Sequence, residues 1–96
     1  MTYRLQFDPP RALKEWSKLG HTVKDALRKK LKKVLQAPRV DKHKLVGFAD
    51  CYKIKLRNDG YRLVYQVEDD ALIVLVIAIG KRENSAAYEA AQARLD

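Results

Sequence analysis

Cysteine is almost missing from this chain of 96 residues. Cys51 stands alone, so no internal disulfide can form, and a lone thiol at the start of a strand-like run reads as a small packed side chain in a reducing compartment. The only histidines are His21 and His43. With one cysteine and two separated histidines there is no metal-ligand cluster, and no metal or cofactor is expected. There is no Ser/His/Asp set, no pair of carboxylates in a plausible cleft, and no phosphate-binding glycine loop. The opening MTYRLQFD lacks the apolar run of a secretion signal. The longest apolar run, Ala71 to Ile79, is too short to cross a bilayer as a helix. Negative charge is also scarce: 12 acidic residues face 20 basic ones, a formal net charge of +8. These absences leave a basic, single-domain chain, residues 1–96, expected in the cytoplasm and away from membranes. So basic a small chain most often meets nucleic acid.

The basic residues are patterned. Cys51 to Val67, CYKIKLRNDGYRLVYQV, alternates apolar and cationic residues on both sides of Asp59-Gly60. A strand repeats every second residue, so Tyr52, Ile54, Leu56, Leu63, Tyr65 and Val67 share one face. Lys53, Lys55, Arg57, Arg62, Val64 and Gln66 share the other. Asp-Gly is a strong signal for a two-residue type I′ turn, which predicts a hairpin with Arg57 directly opposite Arg62. Like charges at that spacing cost stability. A phosphate-rich ligand would account for them.

Taken in order, Thr2 to Phe7 alternates as a strand. Asp8 before Pro9-Pro10 suits a helix start, and Ala12, Leu13, Trp16 and Leu19 follow at helical spacing. Gly20 ends that helix. Thr22 and Asp25 resemble a capping box for a second helix, whose apolar stripe runs from Val23 to Leu35 and which Pro38 closes. Its outer face carries Lys24, Arg28, Lys29, Lys32 and Lys33, a surface suited to tracking phosphates. Leu45, Val46 and Phe48 predict a short strand. Ala71 to Ile79, apolar on both faces and rich in β-branched residues, predicts the central strand. An Ala-rich last helix, capped by Asn84 or Ser85, has little bulk to bury and is expected to lie loosely. The class is α+β in two layers, β-α-α-β-β-β(-β)-α. A helix hairpin packs on a mainly antiparallel twisted sheet, and the sheet face left open by the last helix offers a partner site.

The side chains left to carry chemistry are Lys53, Lys55, Arg57, Arg62, Arg82 and Tyr88. Arg82 leaves the central strand toward the stripe. Tyr88 is equally readable as an aromatic anchor for a weak helix or as a functional group. His21 and His43 read as surface residues away from the stripe.

Three separated blocks carry a resemblance that spans the chain. They are LQFD with ALKEWSKL after it, DCYKIKLRNDGYRLVYQV, and GKRENSAAY ending at Tyr88. The chain resembles the RelE toxins of bacterial type II toxin–antitoxin systems, within the wider RelE/ParE superfamily. The resemblance implies a metal-independent endoribonuclease that cuts mRNA in the A site of the 70S ribosome, and a RelB-like antitoxin as partner. DNA would be met only through the antitoxin complex. It implies Lys53, Lys55, Arg62, Arg82 and Tyr88 as catalytic residues. Arg57, Lys81 and the basic face of the second helix would then meet RNA and ribosome. Lysines beside a tyrosine favour its phenolate, which would make Tyr88 the base. Two other functions stay open. One is a ParE-like, non-enzymatic inhibitor of gyrase; the other is a plain basic nucleic-acid-binding module.

Overall fold

The computed structural model describes residues 2–8, 10–81 and 86–95. Four strands form one sheet in the order β1-β4-β3-β2: β1 Arg4–Phe7, β2 Cys51–Leu56, β3 Tyr61–Glu68 and β4 Ile73–Lys81. The helices are α1 Arg11–Ser17, α2 His21–Gln36 and α3 Ala86–Leu95. β4 is central, parallel to β1 and antiparallel to β3, while β2 and β3 pair antiparallel as a hairpin. The expected α+β architecture is present.

The hairpin register differs from the expected one by two residues. Leu56 pairs with Tyr61, so Arg57 to Gly60 form a four-residue loop in which the Gly60 amide donates to the Leu56 carbonyl at 2.8 Å. A type I′ turn needs positive φ at both central residues. Gly60 has φ of 69°, but Asp59 is not among the residues with positive φ, so the loop opens to four. A shift of two leaves every side chain on its predicted face. It changes the cationic pair: Lys55, not Arg57, stands opposite Arg62.

The main core lies between the helix hairpin and the first sheet face. Leu27, Leu31 and Val34 of α2 and Ala12 of α1 pack on Tyr52, Ile54, Leu56, Leu63, Tyr65, Val67, Val74, Val76 and Ile79. Several predicted details differ. Leu13 is half exposed, because Ala12 and Trp16 are the residues α1 turns inward. Neither cap expected for the first two helices forms. Pro10 holds the first cap position without a side-chain bond, and the Asp8 backbone amide instead ends β1 by donating to Val76. Gly20 precedes α2, and Asp25 spends its carboxylate on His21 and Arg28. Pro9, and Asn84 and Ser85 as expected caps of the last helix, lie outside the described residues. The expected strand at Leu45 to Phe48 is absent. The connector holds a 3-10 turn, Asp41–His43, and one bridge from Lys44 to Tyr52, while Val46 points into solvent.

The second sheet face is covered, contrary to expectation. Ala87 and Ala91 of α3 are buried against Cys51, Val64, Ile77 and Ala78, with Leu45 and Phe48 packed at the margin. Lack of bulk is what permits this. A Cβ at Gly80 would stand 3.2 Å from the Ala87 backbone nitrogen, so the helix rests almost on the strand. A bulge helps: Val64 pairs with Ala78 and Tyr65 with Val76, leaving Ile77 as the extra residue. Ile77 and Ala78 then both face α3.

One polar cluster closes this arrangement. β1 pairs only as far as Val76, so β4 beyond it has an open edge. Glu15 of α1 accepts from the Ile79 amide at 3.1 Å, and Arg94 of α3 donates to the Ile77 carbonyl at 2.7 Å. Arg94 and Glu15 also meet through two nitrogen–oxygen pairs at 2.8 and 3.0 Å. Two side chains thus replace the missing strand and tie α3 to α1. We expect Arg94→Ala to cost about 1–3 kcal/mol, since it strands a partly buried carboxylate and carbonyl. Hydrogen exchange should rise across residues 86–95 first. An unchanged melting temperature and unchanged exchange would show that the clasp does not hold α3.

Candidate active site and RNA interface

Successive rows across β2, β3 and β4 build the site. Cys51, Lys53 and Lys55 share the α3 side of β2, and Arg62 and Val64 share that side of β3. Reading across, Lys53 is followed by Val64 and Ala78; the next row is Lys55, Arg62 and Gly80. Gly80 is where α3 comes closest, through Ala87. The next residue, Tyr88, is partly buried against the same cluster of Cys51, Val64, Ile77 and Ala78. The fold therefore brings Lys53, Lys55, Arg62 and Tyr88 to one sheet face. Small residues hold that face low enough for helix and cations to sit side by side. Arg82 lies outside the described residues.

The cations are crowded and not neutralised. Among the described residues no ion pair involves Lys53, Lys55, Arg57 or Arg62. Arg62 donates to the Tyr61 carbonyl at 3.2 Å, which steadies the guanidinium and leaves its other donors available. Lys55 is held below the usual lysine pKa, first by the charge of Lys53, then by desolvation, then by Arg62 and Arg57. This is the electrostatic cost of like charges in neighbouring rows, and it disfavours the charged form of Lys55. Cys51 has its pKa pushed up to about 11 by burial, with Asp50 adding to it, so it is an inert packed thiol, as expected.

The basic face of α2 is present but not uniform. Lys29, Lys32 and Lys33 are exposed, while Lys24 is half-buried. Arg28 is engaged within the fold: it bonds Asp25 at 3.0 Å, and its guanidinium lies 5.5 Å from the centre of the Trp16 ring. Arg57 sits in the exposed hairpin loop, and Lys81 is exposed at the end of β4 opposite Tyr61.

Two residues gain roles their sequence context concealed. His43, expected away from the stripe, sits near it: its pKa is lowered by burial and by Lys42, Lys53, Lys30 and Lys55. The turn at Asp41–His43 runs along the outer edge of β2, which no period in the sequence announces. Arg39, read only as part of a connector, ties down the far end of the sheet. It bonds Asp69 at 2.6 and 3.1 Å, Asp50 at 3.0 Å and the Tyr52 hydroxyl at 3.2 Å, and Tyr3 donates to Asp69 at 2.6 Å. The charges are thus sorted, with Asp50 and Asp69 at one end and the cationic rows at the other.

The chain is similar to known proteins over its whole length. Residues 9–86 match the family described as the ParE toxin of the type II toxin–antitoxin system parDE. The chain is 58% identical over 95 residues, 99% of both chains, to the mRNA interferase toxin RelE of Escherichia coli strain K12. It is also similar to the free E. coli toxin RelE in a double arginine-to-alanine mutant, with 55% identity, complete coverage of both chains and a TM-score of 0.90. The RelE chain of the intact E. coli RelBE toxin–antitoxin complex matches at 60% identity and a TM-score of 0.81, over 85% of this chain and 99% of its own.

The crowding has a direct readout. Followed by heteronuclear NMR, the Lys55 side-chain amine should titrate below the ordinary lysine value, and Lys53→Ala should move its midpoint upward, because Lys53 is the largest cause of the depression. A midpoint at the ordinary value, indifferent to Lys53, would contradict the electrostatic reading of the row.

Proposed function

We propose, from the premise that this chain belongs to the ParE toxin family of type II toxin–antitoxin systems and within it to the RelE branch, that it is an endoribonuclease that cleaves mRNA in the ribosomal A site. The observation that carries the reading is the unneutralised cluster of Lys53, Lys55 and Arg62 on the sheet face that also holds Tyr88. A ParE-like binder that merely blocks an enzyme would not need Lys53, Lys55 and Arg62 gathered with Tyr88 on one face.

The reaction uses the substrate's own nucleophile. The 2′ oxygen attacks the adjacent phosphorus, the bond from phosphorus to the 5′ oxygen breaks, and the products are a 2′,3′-cyclic phosphate and a 5′-hydroxyl. The neutral amine of Lys55 takes the 2′ proton. Crowding by Lys53 and Arg62 supports Lys55 in that role, because it disfavours the charged amine. Lys53 and Arg62 stabilise the charge that builds on the phosphorane, Arg62 through two parallel donors. Tyr88 lies against the small core on the same face, where its ring is suited to hold a base or ribose in place. Arg82 neutralises the departing 5′ oxygen, whose proton comes from water or the ribosome, since a guanidinium is a poor acid. No metal is used. The ribosome orients the RNA for in-line attack, supplying positioning that so small a protein lacks. A RelB-like antitoxin neutralises the toxin, and the bacterial cytoplasm is where all these components meet. Among the described residues no helix is long and apolar enough to cross a membrane.

Primer extension on ribosomes translating a defined message tests the reading. Wild-type protein should cut within the A-site codon and leave free RNA intact. Gyrase supercoiling should be unaffected, and adding the antitoxin should abolish cutting. Lys55→Ala should slow single-turnover cleavage by roughly 10²–10⁴, and Arg62→Ala by roughly 10²–10³. Full-rate cleavage by a folded Lys55→Ala variant would remove Lys55 from the mechanism. Inhibition of gyrase without RNA cleavage would overturn the function.

A further inference from the structure

β2 is an edge strand, and what lies along that edge is unusual. The Cys51 carbonyl faces outward, accepting from the Leu45 amide at 3.0 Å, while the Asp50 and Leu56 carbonyls point back toward β3 and its turn. Alternation along the strand then turns the backbone groups of Lys53 and Lys55 outward as well. Beyond the single bridge at Lys44 the edge at Ile54 and Lys55 meets a groove of about 570 Å³ rather than another strand. Its charged and titratable lining is Lys30 and Lys33 from α2, Lys42 and His43 from the 3-10 turn, and Lys55 and Arg57 from the hairpin. Its remaining lining residues are Val34, Ala37, Val40 and Ile54, so among the described residues no acidic side chain lines it.

We propose that this groove is a second RNA site, in which phosphates of the RNA backbone lie along Lys30, Lys33, Lys42, His43 and Arg57 and continue from the cleavage face around the β2 edge. The inference rests on the function proposed above, because Lys55 belongs to both surfaces. Two features select RNA over an acidic strand added to the sheet edge. The groove continues a surface already assigned to RNA, and its charges come from three separate elements, as suits a bent polyanion. An added strand would need a flat, open ladder, and the Lys44 bridge and the 3-10 turn occupy the start of that edge.

His43 reports on occupancy. The charges that act on it are all cations: Lys42 in its own turn, Lys30 on α2, and Lys53 and Lys55 on β2. Together with burial they hold its pKa below the ordinary histidine value. A phosphate in the groove would offset those charges and favour the imidazolium. His21, the other histidine, sits at the start of α2 against Asp25 at 3.1 Å and is an internal control.

The experiment is an NMR titration of both imidazoles in the full chain, free and with a single-stranded RNA oligonucleotide carrying 2′-O-methyl groups to block cleavage. RNA should raise the His43 midpoint by about one unit and leave His21 in place. Lys42→Ala should flatten the slope of log affinity against log salt by roughly 0.7, one lost phosphate contact on a single strand. Binding to ribosomes whose message is cut just after the A-site codon separates the two RNA sources. Loss of the Lys42 effect there assigns the phosphates to mRNA, and its retention assigns them to ribosomal RNA. Two results overturn the proposal: RNA that binds while His43 stays put and Lys42→Ala changes nothing, or a polyglutamate peptide that shifts His43 when RNA does not. Parallel cleavage on intact ribosomes is scored separately, so a failed groove and a failed nuclease reading are told apart.

Discussion

The clasp of Glu15 and Arg94 on the open edge of β4 is the constraint on which the geometry of this molecule turns. β1 is too short to cover β4, and a bare stretch of central strand would leave buried-side amides and carbonyls without partners. Glu15 takes the Ile79 amide and Arg94 the Ile77 carbonyl. In doing so they fix the last turn of α3 against α1 across the end of the sheet. α3 buries only alanines at its centre, so apolar area alone holds it weakly. The charged pair and the close fit at Gly80 make the difference. Tyr88 inherits its position from both.

The far end of the sheet is locked by a different device. Arg39 gathers Asp50, Asp69 and the Tyr52 hydroxyl, and Asp69 is in turn held by Tyr3. Those bonds keep the Asp69 carboxyl below its ordinary pKa. Acid would therefore weaken this end as pH falls through that lowered value, while leaving the cationic end as it is. Asp50 and Asp69 are spent on Arg39 at one end of the sheet, while among the described residues no acidic side chain pairs with Lys53, Lys55, Arg57 or Arg62 at the other. The stripe is left with like charges facing each other, a local instability that the rest of the core must carry. In the proposed reaction that same crowding disfavours the charged form of Lys55 and leaves the whole face ready to receive phosphate.

Period-two alternation makes the faces of the hairpin legible in the amino-acid sequence, its cations and core residues with them, and the unbroken apolar run from Ala71 to Ile79 does the same for the central strand. The exact pairing is not legible there. Asp59-Gly60 argues for a tight turn, but only Gly60 adopts positive φ, and the loop relaxes to four residues. Composition underrates the last helix because it registers missing bulk but not the depth of a contact: Ala87 on Gly80 is close because both are small. His43 and Arg39 are illegible for another reason. Both lie in an aperiodic connector, and their neighbours, Lys53 and Lys55 for one, Asp50 and Asp69 for the other, are assembled only by the sheet.

The central claim is that a crowd of cations on one sheet face lets RNA cut itself through its own 2′ oxygen. The most direct measurement is of the substrate rather than the protein. A message carrying a single 2′-deoxy sugar on the 5′ side of the scissile phosphate is placed in the ribosomal A site, and the ends of the products are analysed by mass spectrometry. The account predicts that the all-ribose message yields a 2′,3′-cyclic phosphate and a 5′-hydroxyl and that the 2′-deoxy message is not cut at that bond. Cleavage of the 2′-deoxy message, or products bearing a 5′-phosphate, would contradict it.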